Sequence, residues 1–342
     1  MTLLLLLLIL PSLLIAGVVY QTIGSWVDVS RFPPPGCLVD IDACKLHLNR
    51  QGSGPPVVVL EAGIAATSVS WSPVQARLAQ FSTVCSYDRA GLGWSDGRRD
   101  RSRPCTLEQM TGELEALLHK GGLAAPYLLV GHSFGGLLAR AFAHNYPEQV
   151  AGLVLVDPVS LMHWGTASQA NTNRILAGAR LSRRGATLAR FGVVRAALSI
   201  LNAGGRWLPR QISLAVARPG SAVMRNLARQ VAMLPPELRS TVRAHWSRPK
   251  SFLAMAEYLE ALPACAAAGL KMSLPAEIPV TIFSAGNATA EELDERDAWA
   301  AQSRQGRHVT APGTGHWLQL EKPELVADAV REMANRIAEP RL

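Results

Sequence analysis

The chain has 342 residues, of which 49% are hydrophobic, and it carries a formal net charge of +8. This length and composition allow one large domain with an insertion, or two domains, and they exclude a disordered or collagen-like chain. The charge is uneven, because the stretch 159–270 holds many arginines and only three acidic residues, Glu237, Glu257 and Glu260. A basic surface attracts anionic lipid or an acidic substrate, and no motif for binding nucleic acid is visible.

No internal repeat is visible, and the leucine run at the start is the one low-complexity block. The five cysteines are odd in number, and no spacing among them matches a metal site. We therefore expect no structural disulfide, no bound metal and no cofactor.

The first apolar segment, Leu3 to Val19, contains no charged residue. As a helix it would span roughly 25 Å, and extension to Ile23 makes it long enough to cross a bilayer, with Tyr20 and Trp26 at an interface. A cleaved signal peptide is the alternative, but no Lys or Arg precedes the run and its small residues lie inside it. We predict a retained single-pass anchor at Leu3–Ile23 and leave the side of the membrane open.

A proline-rich stretch at 32–36 predicts a stiff linker after this segment. Two short alternating runs, Leu38–Ile41 and Cys44–Leu48, then predict a hairpin. The apolar run Pro56–Leu60 predicts a buried parallel strand, and Val84–Tyr87 predicts the next one. A capping threonine and an apolar stripe predict a helix over 106–119.

The strand that ends at Tyr87 continues into Asp88 and Arg89. We interpret these two side chains as a structural ion pair that fixes the loop, not as catalytic groups. A Gly-x-Ser-x-Gly pattern around Ser95 follows, but no apolar run leads into it and the arginine-rich stretch after it cannot begin a helix. This pattern therefore predicts a loop.

A second Gly-x-Ser-x-Gly pattern, Gly131–Gly135, lies between an apolar run and a segment of helical composition. Strand, tight turn and helix is the setting in which this pattern predicts a nucleophilic serine, here Ser133. The glycines are needed because a side chain at either position would collide with the adjoining backbone. The amides of Phe134 and of Ile64, in the loop after Pro56–Leu60, are the candidate oxyanion hole. Adjacent side chains in such a turn point apart, so we interpret His132 as a packing residue.

Another apolar strand, Val150–Val156, ends at Asp157. From 159 to about 274 the strand-like runs stop, and arginine-rich helical segments separated by prolines predict a helical lid inserted into the core. The strand pattern then resumes at Ile278–Phe283. The last predicted elements are a helix at 291–305, a strand at 307–310 and a closing helix at 323–337. This alternation predicts an α/β protein with a doubly wound, mostly parallel sheet.

Five stretches together resemble the alpha/beta hydrolase-1 type of the α/β-hydrolase superfamily: 58–63, 87–96, 130–136, 153–158 and 313–317. They cover nearly all of Leu38–Ile337 except the predicted lid, and they imply the α/β-hydrolase fold without specifying a substrate. The resulting segments are a transmembrane anchor (1–24), a linker (25–36), the first part of the hydrolase core (37–158), the lid (159–274) and the second part of the core (275–342).

The resemblance implies Ser133 as the nucleophile and His316 as the general base and acid, with a carboxylate between them in the chain. A serine hydroxyl is a weak nucleophile until a histidine takes its proton, and the carboxylate holds the imidazole in the needed tautomer. His308, inside a predicted strand, is the weaker candidate for the base.

The carboxylate departs from the usual pattern of the family. It is expected about three residues past a glycine after the strand Val280–Phe283, but Gly286 is followed by no acid at that place. Asp157 ends the preceding strand, at a position that some related hydrolases use, and it is the first candidate. Asp294, Asp297 and Glu291 are the alternatives.

The leading hypothesis is a membrane-anchored serine hydrolase that cleaves an ester or similar acyl substrate through an acyl-enzyme on Ser133. The basic, apolar lid favours an amphiphilic or anionic, lipid-like substrate. A dehalogenase or an epoxide hydrolase of this fold would carry an aspartate in place of Ser133, which argues against both. A cofactor-free lyase or carbon–carbon hydrolase stays open. A protein of a different class is the alternative: a catalytically silent lipid-binding or scaffold protein on the same fold. The absence of an acid at the place usual for the family is the one feature that favours it.

Overall fold

A computed structural model describes residues 2–100, 104–166, 168–202 and 231–338. The chain divides into two compact units. The helical unit consists of Met1–Pro33 and Leu176–Ala256, and the sheet unit consists of Pro34–Ile175 and Glu257–Leu342. The five segment boundaries drawn from the sequence stay predictions, and residues 203–230 of the predicted lid lie outside the described part.

An eight-stranded sheet forms the centre of the sheet unit, with the strand order β1-β2-β4-β3-β5-β6-β7-β8. The strands are β1 Cys37–Asp40, β2 Lys45–Gln51, β3 Val57–Glu61, β4 Thr83–Tyr87, β5 Tyr127–His132, β6 Val150–Val156, β7 Val280–Ala285 and β8 Gly306–Ala311. The β1–β2 and β2–β4 pairs are antiparallel, and all other neighbours are parallel. The predicted α/β class with a mostly parallel sheet is therefore confirmed.

The central strands are buried along their whole length and mostly apolar, as expected for parallel strands with both faces of the sheet covered. Every residue of β4, β5 and β7 is buried. The helices of the sheet unit are α2 Ser72–Leu78, α3 Leu107–Lys120, α4 Phe134–Asn145, α5 Leu161–Gly165, α10 Ala290–Ala300, α11 Leu318–Glu321 and α12 Pro323–Ala338. Thr106 caps α3 as predicted, since its side chain accepts a hydrogen bond from the Gln109 amide at 3.2 Å.

The helical unit contains α1 Thr2–Arg31, most of α6 Gln169–Arg190, then α7 Val193–Asn202 and α8 Pro236–Trp246. The helix α9, Pro249–Gly269, runs across the boundary between the two units. Among the described residues, α1 is the one helix whose length and composition would let it cross a membrane, with a mean hydropathy of 1.3 over Pro11–Arg31. A signal sequence near an N-terminus has the same properties, so the anchor stays a prediction.

One narrow stripe of α1 is less exposed than the rest of the helix. Its members, Gly17, Gln21, Gly24 and Asp28, recur at spacings of four, three and four residues, which places them on one face. Around this stripe the exposed residues are mostly large and apolar, from Leu13 to Val29. The helix thus combines one polar, small-residue face with a broad apolar face that is exposed.

Candidate active site

Ser133 occupies the turn between β5 and α4 in a backbone conformation of φ 55° and ψ −119°. A positive φ is rare for a residue with a side chain and stores strain at that position. Hydrogen bonds to both the amide and the carbonyl of Ser133 hold the turn. The Ser133 amide donates to the Val156 carbonyl at 3.1 Å, and the Ser133 carbonyl accepts from the amides of Gly136 at 2.9 Å and Val159 at 3.2 Å.

The two glycines of the pattern are required by close backbone contacts. A Cβ atom at Gly131 would lie 2.8 Å from the Cα atom of Gly136, and one at Gly135 would lie 2.6 Å from the Ala62 carbonyl oxygen. No side chain fits at such distances, so the collisions predicted from the sequence are confirmed. The second contact also shows that the loop after β3 packs directly on the start of α4.

His316, in the loop after β8, is hydrogen-bonded to Asp157 at the end of β6. The Nδ1–H of His316 donates to Oδ2 of Asp157 at 2.6 Å. The carboxylate is buried, whereas the imidazole side chain is 46% exposed. Within the described residues, the hydroxyl of Ser133 and the Nε2 of His316 make no hydrogen bond to each other, and in unliganded enzymes such catalytic contacts are often long.

The second oxygen of Asp157 is bound by two further donors. Arg296, in α10, donates from Nη1 at 2.9 Å, and the Ala285 amide donates at 2.9 Å. Burial raises the pKa of Asp157, but the hydrogen bond from His316 and the charge of Arg296 outweigh it, so the pKa lies below its ordinary value. The carboxylate is therefore ionised and held at both oxygen atoms.

Arg296 was missed by the sequence reasoning. It is 2% exposed, and besides Asp157 it donates to Ser284 Oγ and to the Pro158 carbonyl, each at 2.8 Å. The sequence did contain an indication of its burial, because residue 296 shares the buried face of α10 with Trp299 and Ala300. A cation on the apolar face of a helix needs a partner in the core.

The other candidate acids are not at His316. Asp297 instead binds His308, whose Nδ1–H donates to Oδ1 of Asp297 at 2.8 Å. The Nε2 of His308 accepts from Ser284 Oγ at 2.7 Å, so both ring nitrogens are engaged away from Ser133. Asp294 and Glu291 are exposed on α10. Of the four candidates from the sequence, the structure brings Asp157 alone to His316.

His132 contributes more than the packing expected from the sequence. Its ring lies 4.7 Å from that of His316 and 4.8 Å from that of Trp317, and its Nε2–H donates to the main-chain carbonyl of His316 at 2.7 Å. Burial, with a smaller contribution from His316, lowers the pKa of His132 to about 3. His132 is therefore neutral and fixes the backbone that carries His316.

The two candidate oxyanion amides lie on segments that meet at Ser133. A Cβ atom at Gly63, next to Ile64, would lie 3.6 Å from the Cβ of Ser133. The amides of Ile64 and Phe134 donate no hydrogen bond within the described part of the chain. Both N–H groups are thus available to an acceptor beside the serine.

Arg89 braces the loop that carries Ile64. Its guanidinium donates to the Ala62 carbonyl at 2.6 Å, and it also binds the Gly63 carbonyl and the carboxylate of Glu61. The predicted ion pair between Asp88 and Arg89 is therefore wrong. Successive side chains of an extended segment point in opposite directions, and the Asp88 carboxylate accepts instead from His47 Nδ1–H at 2.9 Å.

Ser95, in the other Gly-x-Ser-x-Gly pattern, lies in a loop, as predicted, and it is buried there. Its hydroxyl donates to the Asp88 carbonyl at 2.5 Å and accepts from the His47 amide at 2.8 Å. Within the described ranges no group of His, Cys, Asp or Glu side chains could hold a metal ion.

The sheet order, the strained serine and the bound histidine are typical of one family. The sequence profile of the alpha/beta hydrolase fold family matches residues 56–323, and the chain belongs to this family. This confirms the family that the sequence motifs suggested.

Named relatives are similar over part of the chain. Lipase LipV of Mycobacterium tuberculosis is 36% identical over 114 residues, which are 33% of this chain and 41% of LipV. The uncharacterized protein YqjL of Bacillus subtilis is 36% identical over 119 residues, which are 34% of this chain and 46% of YqjL. The chain thus spans less than half the length of these curated relatives.

Solved structures resemble the chain over most of its length. An esterase from Thermogutta terrifontis has a TM-score of 0.56 at 21% identity, over 86% of this chain and 95% of its own. A putative epoxide hydrolase from Pseudomonas aeruginosa has a TM-score of 0.62 at 18% identity, over 86% of this chain and 93% of its own. At these identities the likeness shows the fold alone.

Proposed function

We propose that this chain is a serine hydrolase that cleaves an ester or similar acyl substrate through an acyl-enzyme on Ser133. The observation that carries the proposal is the hydrogen bond between His316 and the buried, ionised Asp157. It lies beside a serine held in a strained turn. An imidazole oriented by a carboxylate is the group that such a serine needs as its base.

The reaction that we propose uses these side chains in sequence. Ser133 Oγ attacks the acyl carbonyl carbon while Nε2 of His316 takes the hydroxyl proton, and Asp157 stabilises the imidazolium. The amides of Ile64 and Phe134 bind the oxyanion. The leaving alcohol takes the proton from His316, which leaves an ester on Ser133. Water, deprotonated by His316, hydrolyses this ester and regenerates the free serine.

The proposal includes attachment to a membrane by α1, which stays on the mature protein. The buried polar stripe of this helix supports retention. Asp28 forms an ion pair with Arg195 at 2.7 Å, and Gln21 accepts from Arg195 at 3.1 Å and donates to the Ser247 carbonyl at 3.0 Å. Cleavage of α1 would leave the buried Arg195 without these partners in the helical unit.

The same considerations suggest the substrate class. An enzyme attached to a bilayer by an apolar helix meets its substrate at the lipid surface, and the stretch 158–236 contains eleven arginines and no acidic residue. Both features favour an amphiphilic acyl ester, anionic or neutral. A hydrolysis panel that varies chain length and head-group charge tests this, and best activity on short neutral esters would contradict it.

The central test is fluorophosphonate labelling and p-nitrophenyl ester hydrolysis by the full-length protein in detergent. We expect labelling of Ser133 that is lost in Ser133→Ala and strongly reduced in Asp157→Asn, whereas Asp297→Asn, a matched acid elsewhere on the sheet unit, stays active. Labelling without ester hydrolysis would favour a carbon–carbon hydrolase. A folded wild-type protein that is not labelled would favour a silent lipid-binding protein.

A further inference from the structure

We propose that the outer face of α6 rests on an anionic phospholipid surface, with its arginines on the phosphates and its leucines among the acyl chains. The proposal rests on the membrane location proposed for α1. It is independent of the chemistry at Ser133.

The charge of this region has one sign. The helices α6 and α7, together with the two residues that join them, contain six arginines and no acidic residue. Four of these arginines are exposed on the part of α6 that belongs to the helical unit: Arg180, Arg183, Arg184 and Arg190. An ordinary solvated helix mixes both signs, because like charges on neighbouring turns repel each other. A row of exposed cations along one helix, with no acidic residue among them, fits an anionic partner.

Large apolar side chains lie between these arginines. Leu181 is 50% exposed and Leu188 is 48% exposed, and with Arg184 they recur at spacings of three and four residues on one face. These leucines do not pack into the core of the helical unit. The opposite face of α6 is buried and consists of the small residues Ala179, Ser182, Ala186 and Ala189.

A helix that alternates arginines with exposed leucines is typical of the boundary between lipid head groups and acyl chains. The guanidinium groups bind phosphate, and the long apolar stems of the arginines can lie among the chains. A nucleic acid or an acidic protein would satisfy the arginines but would leave the leucines in water. This difference favours the lipid surface over another polyanion.

The end of α6 also lies next to α1 within the helical unit. A Cβ atom at Gly192 would lie 2.7 Å from the ring of Tyr20, and one at Gly17 would collide with the Phe191 carbonyl. Close contact of this kind needs glycines on both sides. If residues up to about Tyr20 lie in the hydrocarbon, the C-terminal end of α6 is placed at the head-group level.

The test uses the full-length protein in lipid nanodiscs of phosphatidylcholine, alone or mixed with phosphatidylglycerol. Ala177→Cys, one turn before Leu181 on the same face, carries a spin label, and Cys37→Ser removes the exposed native thiol. Power saturation compares the accessibility of the label to oxygen, which enters lipid, and to a nickel chelate, which stays in water. We expect a severalfold higher oxygen-to-nickel ratio in the anionic discs.

The matched variants change the same number of charges on the two units. Arg180→Gln/Arg183→Gln/Arg184→Gln should abolish the rise in the ratio, whereas Arg304→Gln/Arg307→Gln/Arg331→Gln, exposed arginines of the sheet unit, should not. A protein that stays in the discs while its label remains water-accessible in both lipids overturns this inference and leaves the membrane location intact. Protection of the label by added RNA, at the same level as by anionic lipid, would also overturn it. A protein that leaves the discs removes the membrane location and this inference together.

Discussion

Arg296 and His316 bind opposite oxygen atoms of one carboxylate. The Nη1–H of Arg296 donates to Oδ1 of Asp157 at 2.9 Å, and the Nδ1–H of His316 donates to Oδ2 at 2.6 Å. A carboxylate held at both oxygens cannot rotate away from the imidazole. The chain thereby has a fixed carboxylate at the end of β6, whereas the place after β7 that is usual for the family holds none.

Replacement of Arg296 should weaken catalysis without removing any reacting group. In Arg296→Met we expect kcat to fall by roughly tenfold to a hundredfold, because small misplacements of catalytic groups have effects of this size. The loss of the positive charge also raises the pKa of Asp157, so the acid limb of the pH–rate profile should move to higher pH. Arg296→Lys should restore part of the activity. An unchanged profile in a folded Arg296→Met protein would show that Arg296 supports the fold alone.

The strain at Ser133 should appear as a difference in stability between two inactive variants. Ser133→Gly relieves the unfavourable backbone conformation, whereas Ser133→Ala keeps it. We expect the glycine variant to be the more stable, by about 1–3 kcal/mol, which is the usual cost of such a conformation. Urea unfolding of both proteins measures the difference. Equal stabilities would mean that the turn is not strained.

His132 should make the fold sensitive to acid. Its pKa in the folded protein is about 3, below the ordinary value of 6.5. Protonation therefore favours the unfolded chain, and the free energy of unfolding should fall as the pH drops below about 6.5 and continue to fall towards about 3. In His132→Gln this part of the pH dependence should be flatter. Unfolding curves at several pH values test the slope, with His119→Gln, on the C-terminal turn of α3, as the control.

Variants of the buried ion pair between Glu61 and Arg89 should show that its effect on stability differs from its effect on activity. Arg89→Met leaves the carboxylate buried without its cation, which costs about 3–5 kcal/mol. The double variant Glu61→Leu/Arg89→Met should regain most of this stability, yet kcat should stay low because the loop of Ile64 is no longer held. A double variant with full activity would contradict the role of Arg89 as a brace for the oxyanion loop.

The ion pair between Asp28 and Arg195 should stabilise the packing of α1 against the rest of the helical unit. Arg195→Ala should lower the melting temperature of the full-length protein in detergent, and the exchanged pair Asp28→Arg/Arg195→Asp should recover part of it. Mass spectrometry of the mature protein should find α1 still attached. A mature chain that begins after α1 would show a cleaved signal peptide instead.

The local patterns could be predicted because neighbouring residues determine them. The glycines around Ser133, the cap at Thr106 and the apolar strands are all of this kind. Arg296 could not be predicted as a partner of Asp157, since the two are 139 positions apart and meet only when α10 packs against the end of β6. The predicted ion pair of Asp88 and Arg89 was wrong for the opposite reason. The two residues are adjacent in the chain, but an extended backbone directs their side chains to opposite sides.

The strands β5 and β6 are neighbours in the sheet, and the Ser133 amide is bonded to the last carbonyl of β6 at 3.1 Å. Ser133, the proposed nucleophile, and Asp157, its proposed acid, thus follow the ends of two hydrogen-bonded neighbouring strands. The proposed mechanism assigns no step to the loop after β7, where the family usually carries this acid. Under this proposal, that loop could lengthen or change to accept new substrates while Ser133, Asp157 and His316 keep their positions.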